Sequence, residues 1–148
     1  MTVIAYKDGV LAADKRASLD SLHATVTKVW QHPGKLIAGC GSGSALRQVV
    51  EWIKGGAVGS MWPQPKDDAC EVIVINHEKA GKPRIEVYYN GPFPMLPEDD
   101  CFAMGEGASI ALAAMHLGRS AIEGVELACK LCPSCGNGVD SISFEVMP

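Results

Sequence analysis

Two stretches of this chain have no polar side. Val3-Ile4-Ala5-Tyr6 and Val72-Ile73-Val74-Ile75 are apolar at every position. Their β-branched and aromatic content favours strand over helix. Successive side chains of a strand point to opposite faces, so strands of this kind must be covered on both. An open sheet with one wet face is thereby excluded. Two antiparallel sheets packed together, with helices outside, satisfy the requirement. One mixed sheet with helices on each face also does.

The rest of the pattern supplies the other elements. The 148 residues suit one domain spanning 1–148, and no linker, repeat or low-complexity tract divides them. Apolar runs at 3–6 and 10–13 flank Lys7-Asp8-Gly9, a hairpin centred near Asp8. Residues 25–31 and 35–39 form a second β pair around His32-Pro33-Gly34. Leu46, Val49, Val50 and Ile53 share one face of a helix over 44–54, which stops at Gly55-Gly56. Residues 56–69 lack periodicity and read as a loop. Strands follow at 70–75, 84–89 and 101–104, the last leading into Gly105-Glu106-Gly107. A helix over 108–117 ends at Gly118. Ser120 and Glu123 make a capping box that opens another helix to about 131. Residues 139–146 read as a final strand.

A net charge of −4 points away from nucleic acid and anionic membranes as partners. No apolar stretch approaches the ~20 residues that span a bilayer. The N-terminus lacks the basic and apolar regions of a secretory signal, so a cytoplasmic protein is expected. In a reducing compartment the six cysteines are expected as thiols. Nothing in the sequence calls for a cofactor.

Thr2 follows Met1, and methionine aminopeptidases remove Met before a small residue. The chain would then begin with a threonine carrying a free α-amine and a hydroxyl. An α-amine titrates near pH ~8, so it can take the hydroxyl proton and activate the nucleophile. With a turn centred at Asp8, Thr2 and Asp14 are equidistant from it and should face each other. Asp14 ends the apolar strand Val10-Leu11-Ala12-Ala13, where an unpaired carboxylate is costly. Lys28, the one charge in Thr25-Val26-Thr27-Lys28-Val29-Trp30, is its candidate partner. A lysine near the hydroxyl lowers the cost of an alkoxide, and Asp14 would orient it. A structural Asp14–Lys28 or Asp14–Arg16 ion pair is the plainer alternative. Ile37-Ala38-Gly39-Cys40-Gly41-Ser42-Gly43 joins a strand to a helix; its glycines let backbone N–H groups approach an oxyanion.

Several of these pieces together resemble a known family. They are Thr2 with its strand, Gly9-Val10-Leu11-Ala12-Ala13-Asp14-Lys15-Arg16-Ala17-Ser18, Thr27-Lys28-Val29, Ile37-Ala38-Gly39, and Met104-Gly105-Glu106-Gly107 before an Ala-rich helix. In this order they resemble the proteasome β-subunits and their bacterial relative HslV, which are N-terminal nucleophile hydrolases. The resemblance implies an α+β, four-layer αββα sandwich with two antiparallel sheets between helices. It implies threonine peptidase chemistry in a homo-oligomeric ring, acting on peptide or unfolded protein that an ATP-dependent unfoldase delivers. It also implies roles for Thr2 as nucleophile, Asp14 and Lys28 as its charge partners, and the Gly39 N–H as oxyanion donor. The chain departs from the family where Glu106 replaces a serine that contacts the nucleophile amine, and where Cys132 and Cys135 fall at supporting Asp and Ser positions. The family's second helix after the fourth strand is here the loop 56–69. A non-catalytic ring subunit is the alternative of a different class.

Cys129-x-x-Cys132-x-x-Cys135 is a separate signal, because such spacing can ligate zinc or an iron–sulfur cluster. No nearby His or Cys supplies a fourth ligand, and ordinary thiols are the plainer reading. The four histidines lack metal-ligand spacing. Trp52 and Trp62 are expected to pack, and residues 92–97 to form a surface loop.

Overall fold

A tight hairpin opens the chain. In the computed structural model, which describes residues 2–65 and 70–144, strand β1 (Val3–Lys7) turns at Asp8-Gly9 into β2 (Val10–Asp14). Asp8 and Gly9 have φ of 50° and 78°. Positive φ at both central residues matches the twist of the flanking strands, and Asp-Gly is a preferred pair for that turn. The turn therefore centres between the two residues and not on Asp8. Pairing runs from Lys7↔Val10 to Ile4↔Ala13, so one further step sets Asp14 against Val3. The expected Thr2–Asp14 opposition is off by one residue, and the two side chains meet through a third.

β3 (Arg16–Leu19) and β4 (Leu22–Thr25) form a two-stranded ribbon. The chain then enters β5 (Val29–His32), β6 (Lys35–Gly41) and helix α1 (Gly43–Lys54). One 3-10 turn, Gly59–Met61, lies in the region expected as a loop; residues 66–69 of that region lie outside the described residues. β7 (Cys70–Asn76), β8 (Arg84–Tyr89) and β9 (Cys101–Gly105) follow, then α2 (Ala108–His116), α3 (Ala121–Leu131) and β10 (Val139–Ser143). Ser120 caps α3: its hydroxyl accepts the Glu123 N–H, and the Glu123 carboxylate accepts the Ser120 N–H.

The strands make two four-stranded antiparallel sheets, ordered β10-β2-β1-β9 and β5-β6-β7-β8. The alternation of each strand sorts its side chains into layers. Ile4, Tyr6, Leu11 and Met104 of the first sheet meet Leu36, Ala38, Ile73 and Ile75 of the second in a central core. Val3, Ala5 and Ala12 point the other way, against Met115 and Val125 of α2 and α3. Ile37, Val72 and Val74 face Leu46, Val49 and Ile53 of α1. The architecture is an αββα sandwich, and the single mixed sheet is excluded.

Two expectations are corrected, and one element is new. Residues 25–31 do not form one strand: β4 ends at Thr25, and 26–28 leave both sheets before β5 begins. The β3–β4 ribbon has no counterpart in the sequence reading, because Leu19 and Leu22 are exposed and no alternation marks it. The final strand ends at Ser143, and 145–146 lie outside the described residues. Among the described residues, no helix is long and apolar enough to cross a membrane.

Candidate active site

The site is built around a buried carboxylate. Asp14 is fully buried at the end of β2. A carboxylate removed from water needs its lone pairs filled, and four donors do so. Oδ1 accepts the Val3 N–H at 3.1 Å and the Lys28 ammonium at 2.8 Å. Oδ2 accepts the Arg16 N–H at 3.3 Å and the Gly136 N–H at 3.1 Å. The Arg16 guanidinium goes elsewhere, to Asn137 Oδ1 and the Pro133 carbonyl. An Asp14–Arg16 side-chain ion pair is therefore not what holds this end of the strand.

Lys28 stands in the segment 26–28, where the chain has left the ribbon and not yet joined the second sheet. Its carbonyl accepts the Gly39 N–H at 3.2 Å, which fixes its backbone beside β6. Its side chain is buried, and Nζ donates to Thr2 Oγ1 at 3.0 Å as well as to Asp14. One ammonium thus joins Thr2 to Asp14. With Lys28 donating, Thr2 Oγ1 is the acceptor, and the arrangement favours charge developing on that oxygen.

The backbone of Thr2 is held by Gly105-Glu106-Gly107. The Gly107 N–H donates to the Thr2 carbonyl at 3.2 Å. Gly105 has φ of 89°, and a Cβ there would stand 2.1 Å from the Thr2 carbonyl oxygen. Only glycine permits that approach. Glu106 itself is exposed and makes no ion pair among the described residues.

Thr2, Lys28 and Gly39 line one cavity of about 700 Å³, with Cys40, Ser42 and Arg47 farther along its wall. Gly39 is there because a side chain would collide with Leu46 and the Glu71 carbonyl. Its N–H, the expected oxyanion donor, is engaged with the Lys28 carbonyl. Cys40 is the cysteine in this wall. Burial, and then the Glu71 carboxylate, push its thiol up to about 11, so at neutral pH it is not a thiolate.

The three clustered cysteines gather on the far side of Asp14. Cys129 lies on α3, Cys132 caps its C-terminus and Cys135 is buried. Burial and Asp14 raise the Cys129 thiol. All six cysteines are free thiols. The metal alternative receives no support: among the described residues no three His, Cys, Asp or Glu are grouped to hold a metal ion. The Gly136 N–H on Asp14 was not foreseen, since a backbone donor leaves no mark in side-chain identity.

No protein-family model matches the chain, and no curated protein matches it. Solved structures do. BPH from Thiobacillus denitrificans, in complex with epoxomicin, is 17% identical, with a TM-score of 0.69 over 99% of each chain. Another structure of BPH from the same organism gives 19% and 0.62 over 99% of this chain and 98% of that one. A Gly-1 mutant of Anbu from Hyphomicrobium sp. strain MC1 is 17% identical, with a TM-score of 0.74 over 98% of this chain and 83% of that one. These likenesses show the fold, the αββα sandwich described above.

Three outcomes follow from this geometry. Gly105→Ala must move the Thr2 backbone and is expected to cost at least about 2 kcal/mol in denaturant unfolding. Lys28→Met leaves Asp14 buried without its counter-charge and is expected to cost about 3–5 kcal/mol by the same measurement. Alkylation of Cys40 at pH 8, mapped by mass spectrometry, is expected to run roughly tenfold slower than for an ordinary thiol; a thiolate fraction about a hundredfold lower is partly offset by greater nucleophilicity. The rate should climb as pH rises towards 11.

Proposed function

We propose that the chain is a threonine-type peptidase of the N-terminal nucleophile class, with Thr2 as nucleophile once Met1 is removed. The observation that carries this reading is the single ammonium of Lys28 lying 3.0 Å from Thr2 Oγ1 and 2.8 Å from Asp14. The free amine of Thr2 takes the hydroxyl proton as Oγ1 attacks a peptide carbonyl. Lys28 favours the charge on Oγ1 before attack, and Asp14 holds Lys28 in place. The developing oxyanion is met by the Gly39 N–H, which shares or gives up its long bond to the Lys28 carbonyl. The leaving amine takes a proton back, an ester remains on Thr2, and water activated by the same amine hydrolyses it. While Met1 is attached, the Thr2 nitrogen is an amide and cannot act as a base.

Placing such a nucleophile in the interior of a homo-oligomeric ring would restrict it to unfolded protein and peptides, delivered by an ATP-dependent unfoldase in the cytoplasm. Exposed apolar side chains, Phe93, Met95, Leu96 and Leu117 among them, are available for contacts between subunits. A second reading, a non-catalytic subunit of the same fold, is favoured by the engagement of the Gly39 N–H.

Reaction with epoxomicin, a peptide epoxyketone, separates the two, and a structurally similar protein is already known in complex with it. An epoxyketone offers a carbonyl to a hydroxyl and an epoxide to an amine, so a full adduct requires both groups on one residue. Intact mass is expected to show one adduct on Met-free protein and none on Thr2→Ala or on chains retaining Met1. Lys28→Arg, which keeps the charge but displaces it, is expected to slow adduct formation at least about a hundredfold. Absence of an adduct on folded, Met-free protein would replace the peptidase reading with the non-catalytic one.

A further inference from the structure

The peptidase chemistry uses none of the thiols gathered behind Asp14. We propose that Cys132 and Cys135 are a redox-modification site, converted by hydroperoxides to a reversible disulfide that bears on the Asp14 carboxylate.

Geometry carries the pairing. After α3, Cys132-Pro133-Ser134-Cys135 closes a four-residue turn in which the Cys135 N–H donates to the Cys132 carbonyl at 3.1 Å. The α-carbons at the two ends of such a turn lie within ~7 Å, and disulfides bridge about 4.4–6.8 Å. The two side chains are close enough for Cys132 to raise the Cys135 thiol. Exposure assigns their order: Cys132 is partly exposed at the helix end, whereas Cys135 is 2% exposed. An oxidant therefore meets Cys132 first, and Cys135 resolves the product from inside. Cys129 packs on the helix face one turn earlier and is not part of this turn.

The chemistry balances with a hydroperoxide as oxidant. Cys132 Sγ attacks a peroxide oxygen; the O–O bond breaks, a sulfenic acid forms, and water leaves when the oxidant is hydrogen peroxide. Cys135 Sγ then attacks Cys132 Sγ. The S–S bond forms, the S–O bond breaks, and a second water carries off the remaining thiol proton. Two thiols supply the two electrons the peroxide takes up. The surroundings set the pace of the second step. Burial comes first, then Cys132 and Asp14, in pushing the Cys135 thiol up to about 12. A disfavoured Cys135 thiolate slows this resolving step at neutral pH, and the step speeds up as pH rises.

The position gives the bond a consequence. The residue after Cys135 is Gly136, whose N–H is one of the four donors to Asp14. Pro133, inside the turn, holds the Arg16 guanidinium through its carbonyl. Joining two separate thiols in an S–S bond of ~2.05 Å tightens the turn and moves the Gly136 donor relative to Oδ2.

The test is thiol mapping on the full chain. After treatment with hydrogen peroxide, alkylation and digestion, the peptide holding both residues is expected to lose ~2 Da, with both cysteines protected and dithiothreitol restoring them. Cys132→Ser, at the partly exposed position, should abolish the bridge without disturbing the core, as should Cys135→Ser; Cys129→Ser should keep it. Full alkylation of Cys132 and Cys135 after peroxide, or a bridge from Cys129 to Cys132, would overturn the proposal. The effect on Thr2 rests on the nucleophile reading above. Epoxomicin adduct formation is expected to slow about tenfold in the oxidised protein, to recover on reduction, and to be insensitive to peroxide in Cys132→Ser. A reduced protein that forms no adduct at all defeats the nucleophile reading and leaves the thiol map to decide this one. Equal adduct rates in both redox states defeat the link to Asp14.

Discussion

A carboxylate with no access to water organises this end of the molecule. Ionised groups cost several kcal/mol to bury, and the cost is recovered only when every lone pair has a donor. The donors to Asp14 come from four separated parts of the chain: Val3 in β1, Arg16 entering β3, Lys28 before β5, and Gly136 after α3. Each is therefore held in place by the need to satisfy one side chain. The same segments are also tied to the end of β2 by backbone bonds, from the Lys15 N–H to the Gly136 carbonyl and from the Val26 N–H to the Lys15 carbonyl. The site is a consequence of the same bonds that close this end of the sandwich.

The cavity arises where sheet pairing stops. β6 continues to Gly41 and pairs with β7 to its end, but β5 begins only at Val29, opposite Ala38. The strand neighbour that would cover Gly39 to Gly41 is replaced by the irregular segment that carries Lys28. That substitution leaves room for the cavity beside Gly39, with the Lys28 side chain in its lining. Glycines complete the arrangement: Gly39 lets Leu46 of α1 pack flush against β6, and Gly105 lets β9 close on the Thr2 backbone.

Side-chain chemistry made much of this legible. Strands apolar on both faces demanded cover on both, which left a sandwich or a single mixed sheet, and Ser120 with Glu123 marked the start of α3, because each of these depends on residue type at fixed spacing. Asp14 stood out as a charge ending an apolar strand, and Lys28 as the one charge in a stretch expected to be strand, which the structure places between strands. What escaped was set by backbone geometry. The register moved by one because Asp8 and Gly9 share the positive-φ turn, so Asp14 came to lie against Val3 and reaches Thr2 through Lys28. The β3–β4 ribbon escaped because its residues are too exposed to alternate. Gly136 escaped because its contribution is a peptide N–H, which every residue but proline has.

Magnitudes limit what the Lys28–Asp14 couple can do on the proposed chemistry. At an effective dielectric of ~20, an ammonium about 3 Å away favours a unit negative charge on Oγ1 by about 5 kcal/mol. A carboxylate on the other side of that ammonium, taken at roughly 5 Å from Oγ1, opposes the same charge by about 3 kcal/mol. The difference, about 2 kcal/mol, corresponds to roughly thirtyfold in rate, a small part of what peptide hydrolysis requires. Asp14 thus weakens the very field it makes possible, since without it Lys28 would have no counter-charge in a dry site. The larger share has to come from the groups that act in the reaction itself: the amine that accepts the proton and the N–H that meets the oxyanion. Removal of Met1 creates the first, and release of the Gly39 N–H from the Lys28 carbonyl creates the second. On this account the charged couple prepares the nucleophile, and exposure of the amine is the step that makes it reactive.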